Sequence, residues 1–355
     1  TVARKRGLPP SSRSIQTEQS EAKAAMLTAY LKEGECLLPA NIDLHAGVPD
    51  GVAWIDLNTP TSEEEHAVER LLGVGIPNRE EMREIEESSR FYTENGVQFM
   101  TASILHSSHV GSPGISPITF ILAGDRLVTL RYSNPKAFAQ FQTRIAKPGN
   151  GIIAPKCDAS WLFLGLIEAI TDRIADILEN IASGLDDTSA MLFSTEPGGR
   201  PMGTPAFREA LRSIGKEGAF LSKVRESLAG VNRMLVYLSA GAGNGKASKE
   251  SRAWMKSLER DTQSLNDYVG FLSNKITFLL DTVVGLVSVE QNAIIKIFSV
   301  AAVVFMPPTL VASIYGMNFH HMPELSWLAG YPWALGLMLL SAVLPLLYFR
   351  RKGWL

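Results

Sequence analysis

The sequence predicts an α+β domain, an α/β sandwich plus a helical hairpin, followed by a long stalk helix and two C-terminal membrane spans. Three observations carry this. Strand and helix signals alternate up to about residue 157. From about residue 158 the strand signals stop and apolar residues recur three or four apart, the helical period. The last sixty residues then hold two long uncharged runs. The chain has 355 residues and a formal net charge of −2, so no general affinity for nucleic acid is implied.

Residues 1–25, TVARKRGLPPSSRSIQTEQSEAKAA, are polar and lack the apolar stretch of a secretory signal. They predict a disordered tail and leave the N-terminal bulk in the cytoplasm. Residues 26–157 form the α/β domain. GVAWIDL (51–57) reads as a buried strand, and TSEEEHAVERLL (61–72) as a helix capped by Thr61 or Ser62 with three glutamates in its first turn. NREEMREIEES (78–88) predicts a second acidic helix. GVQFMTASIL (96–105) and SPITFILAGDRLVTLR (116–131) read as strands, the latter broken by a hairpin at Ala123-Gly124-Asp125. KAFAQFQTRI (136–145) predicts a short helix. His106 and His109 fall beside a turn-rich loop and read as exposed polar residues. Cys36 and Cys157, two in number and far apart, read as reduced thiols. No Gly-rich phosphate loop and no catalytic triad pattern stands out, and no enzyme chemistry is expected.

Residues 158–250 predict two antiparallel helices. Leu162, Leu166, Ile170, Ile174, Ile177 and Ile181 form the apolar stripe of the first, and TPAFREALRSIGKEGAFLSKVRESLAGVNRMLVYL (204–238) is the second. Residues 251–318 form the stalk and first span. Leu258, Leu265, Leu272, Leu279 and Leu286 recur every seven residues, with Val269, Ile276 and Val283 between them, the pattern of a supercoiled seam. A helix over 251–315 would run roughly 100 Å, which argues for parallel stalks in a symmetric oligomer.

Ile297 to Tyr315 carries no charged residue or histidine over nineteen positions, enough for the roughly 30 Å hydrocarbon core. It nevertheless holds Ser299, Thr309, Ser313 and the pair Pro307-Pro308, and it leads into Gly316-Met317-Asn318. Freed backbone groups and hydroxyls suit a protein-buried or water-lined surface rather than lipid. The segment therefore reads as pore-lining. Residues 319–327 form a short external loop without Lys or Arg, 328–349 the second span, and 350–355, RRKGWL, a basic terminus. The charge asymmetry places both termini in the cytoplasm, with Trp327, Tyr331, Trp333 and Trp354 as interfacial anchors.

SVEQNAIIKIFSVAAVVFMPPTLVASIYGMNFHHMPEL (288–325) closely resembles the CorA family of magnesium and cobalt transporters. YGMNF followed by MPEL carries the resemblance, with MPPTLVASIYG, the GYP of the second span and RRKGWL. It covers about residues 285–355. The resemblance implies a homopentameric funnel in the bacterial inner membrane, the first span of each subunit lining the pore. It implies that Gly316, Met317 and Asn318 form the outer filter for hydrated Mg²⁺, with Co²⁺ and Ni²⁺ as minor cargo. An amide oxygen suits an ion that keeps its waters. Asp281 resembles an acidic ring at the cytoplasmic mouth, Ile295 and Phe298 a hydrophobic constriction gating by dewetting, and Met306 and Thr309 pore-facing positions. Glu324 in the external loop would concentrate cations before they reach the filter, and His320 and His321 lie beside it. Lys296 reads as snorkelling to headgroups or as part of a basic collar. Regulatory Mg²⁺ between subunits is expected at acidic residues, with Glu80, Glu81 and Asp176 foremost. Glu84, Glu86, Glu87, Asp172, Asp186 and Asp187 stand behind them. A Zn²⁺ or proton-coupled transporter, or a membrane-anchored metal sensor, is the alternative reading.

Overall fold

The computed structural model describes residues 27–40, 49, 51–107, 113–149, 151–152, 158–193, 203–241, 248–318 and 322–354. The expected tail, His109, Cys157, His320 and His321 lie outside them. The chain divides into two compact units, residues 1–187 with 215–276, and residues 188–214 with 277–355.

In the first unit, seven strands form one mixed sheet. They are β1 (Leu27–Glu33), β2 (Cys36–Ala40), β3 (Val52–Asn58), β4 (Phe91–Glu94), β5 (Val97–Ser107), β6 (Pro113–Ala123) and β7 (Arg126–Arg131). The order is β2-β1-β3-β7-β6-β5-β4, and β3–β7 is the single parallel pair among these neighbours. Helix α1 (Ser62–Leu72) starts with a capping box. The Glu64 N–H donates to Thr61 Oγ1 at 3.4 Å, and Thr61 N–H donates to Glu64 Oε2 at 2.7 Å.

No continuous acidic helix follows Pro77. The segment makes one 3₁₀ turn over Glu81–Arg83 and a single-turn helix α2 (Glu87–Arg90), with extended backbone at Glu84 and Glu86. The Asn78 side chain draws the turn in by accepting from the N–H groups of Glu80 and Glu81. Only Met82 reaches the core, whereas Ile85 is 88% exposed, so the segment has no apolar stripe to hold longer helix against the sheet. The hairpins β1–β2 and β4–β5 add strands beyond those the sequence predicts.

Helix α3 (Lys136–Ile145) occupies the predicted span and covers the other sheet face. There Trp54, Phe120, Phe138, Phe141 and Phe163 pack ring on ring, and Tyr30 stacks on Trp54 at 4.4 Å between centroids. Within this core lies a buried ion pair, Arg131 Nη2 to Asp56 Oδ2 at 2.8 Å. Thr129 Oγ1 donates to Asp56 Oδ1 at 2.8 Å, and Trp54 Nε1 donates to Thr129 Oγ1 at 3.0 Å. Arg131 also donates to the Ser133 carbonyl and Asn134 Oδ1. Each charge thus keeps several partners, the condition for burying it at all. Burial, with the Asp56 charge next, pushes the Tyr30 hydroxyl up to about 12.

Helices α4 (Ala159–Phe193) and α5 (Thr204–Gly241) form the hairpin, and all six predicted stripe residues of α4 are buried. α5 lies close on β5. A Cβ on Gly230 would come within 2.9 Å of Ala102 Cβ, so glycine permits the approach. Thr93 and Tyr237 share a 2.8 Å hydrogen bond across the same contact. Helix α6 (Lys249–Tyr315) begins in this unit. Its seam residues Leu258, Val269 and Leu272 are buried. Trp254 meets the ring of Trp161 on α4, Lys275 Nζ binds Asp186 Oδ1 on α4 at 2.5 Å, and Ile276 lies against Gly218 on α5. The heptad seam therefore faces the chain's own hairpin. It is a three-helix core and not in itself a signature of association.

The second unit holds the end of α4, the start of α5, the rest of α6 and helix α7 (Gly330–Arg351). Phe193 stacks on Phe278, and Leu279 and Val283 continue the buried seam. α6 and α7 are both long and apolar enough to cross a membrane, and their apolar windows are mostly exposed. α6 stays helical through Pro307-Pro308. Two missing N–H groups leave the carbonyls of Val303 and Val304 without their helical donors. Cys36 is a half-exposed free thiol on the edge strand β2.

Candidate functional site

The membrane half of α6 has two faces. At about 100° per residue, Ile295, Phe298, Ala302, Met306, Thr309 and Ser313 fall within roughly 80° of one another. On the same count Val300, Val304 and Val311 lie about 140–180° from Ile295. Val300 and Val304 are buried and Val311 is half-buried, while the first group is exposed. On α7 the matching stripe of reduced exposure is Gly330, Ala334, Met338, Ser341, Pro345 and Phe349. Small residues there let two helices approach without a hydrophobic drive from water. Lys296 Nζ lies 5.9 Å from the ring centroid of Trp354, tying the base of the span to the segment after α7. Packing inside the chain thus uses one face of α6 and leaves the opposite face bare.

The bare face carries the expected pore residues. Ile295, Phe298 and Met306 are 59%, 71% and 68% exposed, and Ala302, Phe305, Met306, Thr309, Leu310 and Ser313 line a shallow groove. Ser299 and Thr309 donate their hydroxyls to the carbonyls of Ile295 and Phe305, each at 2.7 Å. Their oxygens remain available as acceptors. Asp281 is exposed and falls about 40° from Ile295 by the same helical count. One ladder of side chains therefore runs from a carboxylate, past three large apolar residues and a hydroxyl, to the end of the helix.

Gly316-Met317-Asn318 is not a continuation of α6. The helix ends at Tyr315, and the motif turns out of it. Gly316 N–H donates to the Ala312 carbonyl at 2.9 Å and Met317 N–H to Ile314 at 3.2 Å. A Cβ at Gly316 would sit 3.1 Å from the Ala312 oxygen, so the turn favours the smallest residue. Asn318 is exposed at the tip. The Gly-Met-Asn motif is thus a helix terminator, since Gly and Asn are what a helix end favours. Glu324 falls in a 3₁₀ turn, Pro323–Ser326.

The acidic candidates for regulation do not form a ready metal site. Among the described residues, no three His, Cys, Asp or Glu side chains are grouped to hold an ion. Glu81 Oε2 accepts the Asn78 N–H at 2.8 Å, while Asp176 Oδ2 pairs with Arg173 Nη1 at 3.3 Å. Asp186 is taken by Lys275. Asp172 differs: burial first, then the Glu168 charge, raises its carboxyl above the usual range, with Asp176 and Asp261 adding to the effect and Arg144 opposing it.

Known proteins resemble this chain over most of its length. The model of the CorA-like Mg²⁺ transporter family matches residues 49–351. The magnesium transport protein CorA of Pasteurella multocida is 33% identical over 330 residues, covering 93% of this chain and 100% of that protein. The Escherichia coli K12 protein of the same name is 34% identical with the same coverage. The complete CorA magnesium transporter of Methanocaldococcus jannaschii aligns with a TM-score of 0.74 at 20% identity, over 94% of this chain and 99% of that one. Full-length CmaX aligns at 0.63 with 15% identity, over 92% and 97%. The structural likenesses speak to the fold, and the sequence matches to descent. With the family model covering most of its length, the chain belongs to the CorA-like Mg²⁺ transporter family.

Proposed function

We propose that five copies of this chain surround a common axis and admit Mg²⁺ down the membrane potential. The single observation that carries the reading is the bare face of α6. It lies opposite the buried Val300 and Val304 face, it bears Asp281, Ile295, Phe298, Met306 and Thr309, and it ends in Gly316-Met317-Asn318. Hydroxyl and carboxylate groups on a face left unpartnered by its own chain suit a water-lined conduit better than lipid. Asn318 amide oxygens crown the outer mouth and accept from the waters of a hydrated ion. Ile295 and Phe298 form the constriction that closes by dewetting. The basic C-terminal stretch and the Lys-free, Arg-free loop between the spans support a reading with both termini in the cytoplasm of an inner membrane. Mg²⁺ is the substrate, and Co²⁺ and Ni²⁺ share the path less favourably.

An inside-negative potential of 100 mV contributes roughly 4.6 kcal/mol to a doubly charged ion, which removes the need for a nucleotide-driven step. Cytoplasmic Mg²⁺ also gates. Ions held between subunits by acidic groups such as Glu80, Glu81 and Asp176 draw the stalks together, and their loss releases them. Among the described residues these groups make no complete cage within one chain, which suits a cage completed by a second chain.

The test is uptake of Mg²⁺ by proteoliposomes loaded with a Mg²⁺ dye, under an imposed potential, with wild type and Asn318→Ala. Potential-dependent uptake lost in the variant is expected. Selective uptake unchanged by the substitution would reject the filter assignment, and a monomer by native mass measurement would reject the shared axis. Uptake that follows a pH gradient, or Zn²⁺ in place of Mg²⁺, favours the coupled or zinc-selective alternative. Ligand-dependent change with no flux favours a sensor.

A further inference from the structure

Away from the membrane, the first unit holds a cavity of about 130 Å³ lined by Leu105, His106, Pro113, Lys136, Arg173, Ile177, Asn180 and Phe220. That is several times the roughly 15 Å³ needed by one water. Its polar groups are one-sided. They are an imidazole, an ammonium, a guanidinium and an amide, with no carboxylate among the described residues of the lining. On α4, Asp176 already pairs with Arg173 Nη1, and its backbone carbonyl accepts from Asn180 Nδ2 at 2.7 Å. Lys136 makes no ion pair among the described residues. It is also the first residue of α3, whose N-cap is Pro135, with no side chain capping the first-turn amides. The positive end of a ten-residue helix therefore adds to the side chains. A further ammonium, Lys223 Nζ, donates to the Pro113 carbonyl at 2.8 Å on the same wall.

One element of the lining is positioned with unusual closeness. His106 on β5 pairs with Gly114 on β6, and its ring lies so near that a Cβ on Gly114 would come within 2.5–2.6 Å of two ring atoms. Any larger residue at 114 would push the imidazole out of place. The sheet thus seats the ring flat against its own backbone at the cavity.

We infer that this cavity is a binding site for a phosphate-type oxyanion, either inorganic phosphate or the terminal phosphate of a nucleotide. Arg173 supplies a planar fork, Lys136 a point charge and Asn180 an amide donor, groups that phosphoryl oxygens recognise, with the His106 imidazole in the wall beside them. Because the lining comes from β5, β6, α3, α4 and α5, an occupant would join the sheet to the helical hairpin. The inference does not depend on the transport reading.

Full-length protein in detergent would be titrated with inorganic phosphate, with sulfate and with ATP in separate arms, all at constant ionic strength, by calorimetry and by ³¹P line broadening. Saturable binding of one phosphate-bearing ligand at one site per chain is expected. The Lys136→Ala/Arg173→Gln pair should weaken it at least tenfold, Lys136→Arg should keep it within about threefold, and Gly114→Ala should weaken it by displacing His106. All four changes lie outside the membrane helices, and unaltered melting of the unliganded variants checks their fold. Phosphate tighter than ATP identifies the free anion, and the reverse identifies a nucleotide. Binding that is absent in every arm, or equal for the double variant and wild type, overturns the inference.

Discussion

Lysine substituted for Met306 and, separately, for Val304 puts the face assignment of α6 to a quantitative test. The two positions are two residues apart, yet Met306 is 68% exposed and Val304 is 9% exposed. If the Met306 face looks onto a shared conduit, the new ammonium stays hydrated and the protein folds. It then opposes the ion. One ammonium about 6 Å from Mg²⁺ opposes it by about 1.4 kcal/mol even at the dielectric constant of water, and five by about 7 kcal/mol. At about 1.4 kcal/mol per tenfold, ion occupancy falls by roughly five orders of magnitude. Val304→Lys acts differently. It forfeits about 1.5–3 kcal/mol of valine burial. It also adds about 2.5–3.5 kcal/mol for a lysine at mid-helix in a bilayer. Purified yield and melting temperature should drop for that variant. The assay pairs vesicle Mg²⁺ uptake with thermal unfolding of each purified protein. Met306→Lys that transports at the wild-type rate would mean this face does not meet the permeating ion, and the argument from opposed faces fails.

Other perturbations reach other parts of the molecule. Asp56→Ala strands the buried Arg131 guanidinium at a cost of about 3–5 kcal/mol. Melting of the first unit should fall by about 10 °C, and a fall under about 2 °C would mean that water replaces the lost carboxylate. Leu272→Ala should cost about 2–5 kcal/mol; because Leu272 lies in a seam facing the chain's own hairpin, this loss should be the same at every protein concentration. Asp172 has its folded-state carboxyl raised by burial, so the folded protein holds that proton more tightly than the unfolded chain. Stability from this group is therefore lost as pH rises from the ordinary carboxylate value through the raised one. Asp172→Asn should accordingly melt higher than wild type at neutral pH, with the gap closing below about pH 4 where both states are protonated. If Mg²⁺ binds beside Asp172, millimolar Mg²⁺ should raise the wild-type melting temperature and leave Asp172→Asn unmoved; equal shifts in both would exclude Asp172 as a ligand.

The amino-acid order alone specified the helices whose apolar spacing repeats over many turns. The α4 stripe, the α3 span and the length of α6 were legible because each residue's partners lie three, four or seven positions away. The family, too, was legible in one stretch, since YGMNF with MPEL is a local string. Tertiary contacts decided the rest. NREEMREIEES looks helical by composition, but Ile85 finds nothing to pack against, and Asn78 folds the segment into a turn. The heptads of α6 specify a seam without naming its partner, and the fold supplied α4 and α5. Asp56 and Arg131 are 75 residues apart, so nothing local foretold that parallel pairing of β3 with β7 would bring them together in the core. The same holds for the two faces of the first span. Periodicity divides a helix into faces, but only the packing of α7 reveals which one the chain leaves uncovered.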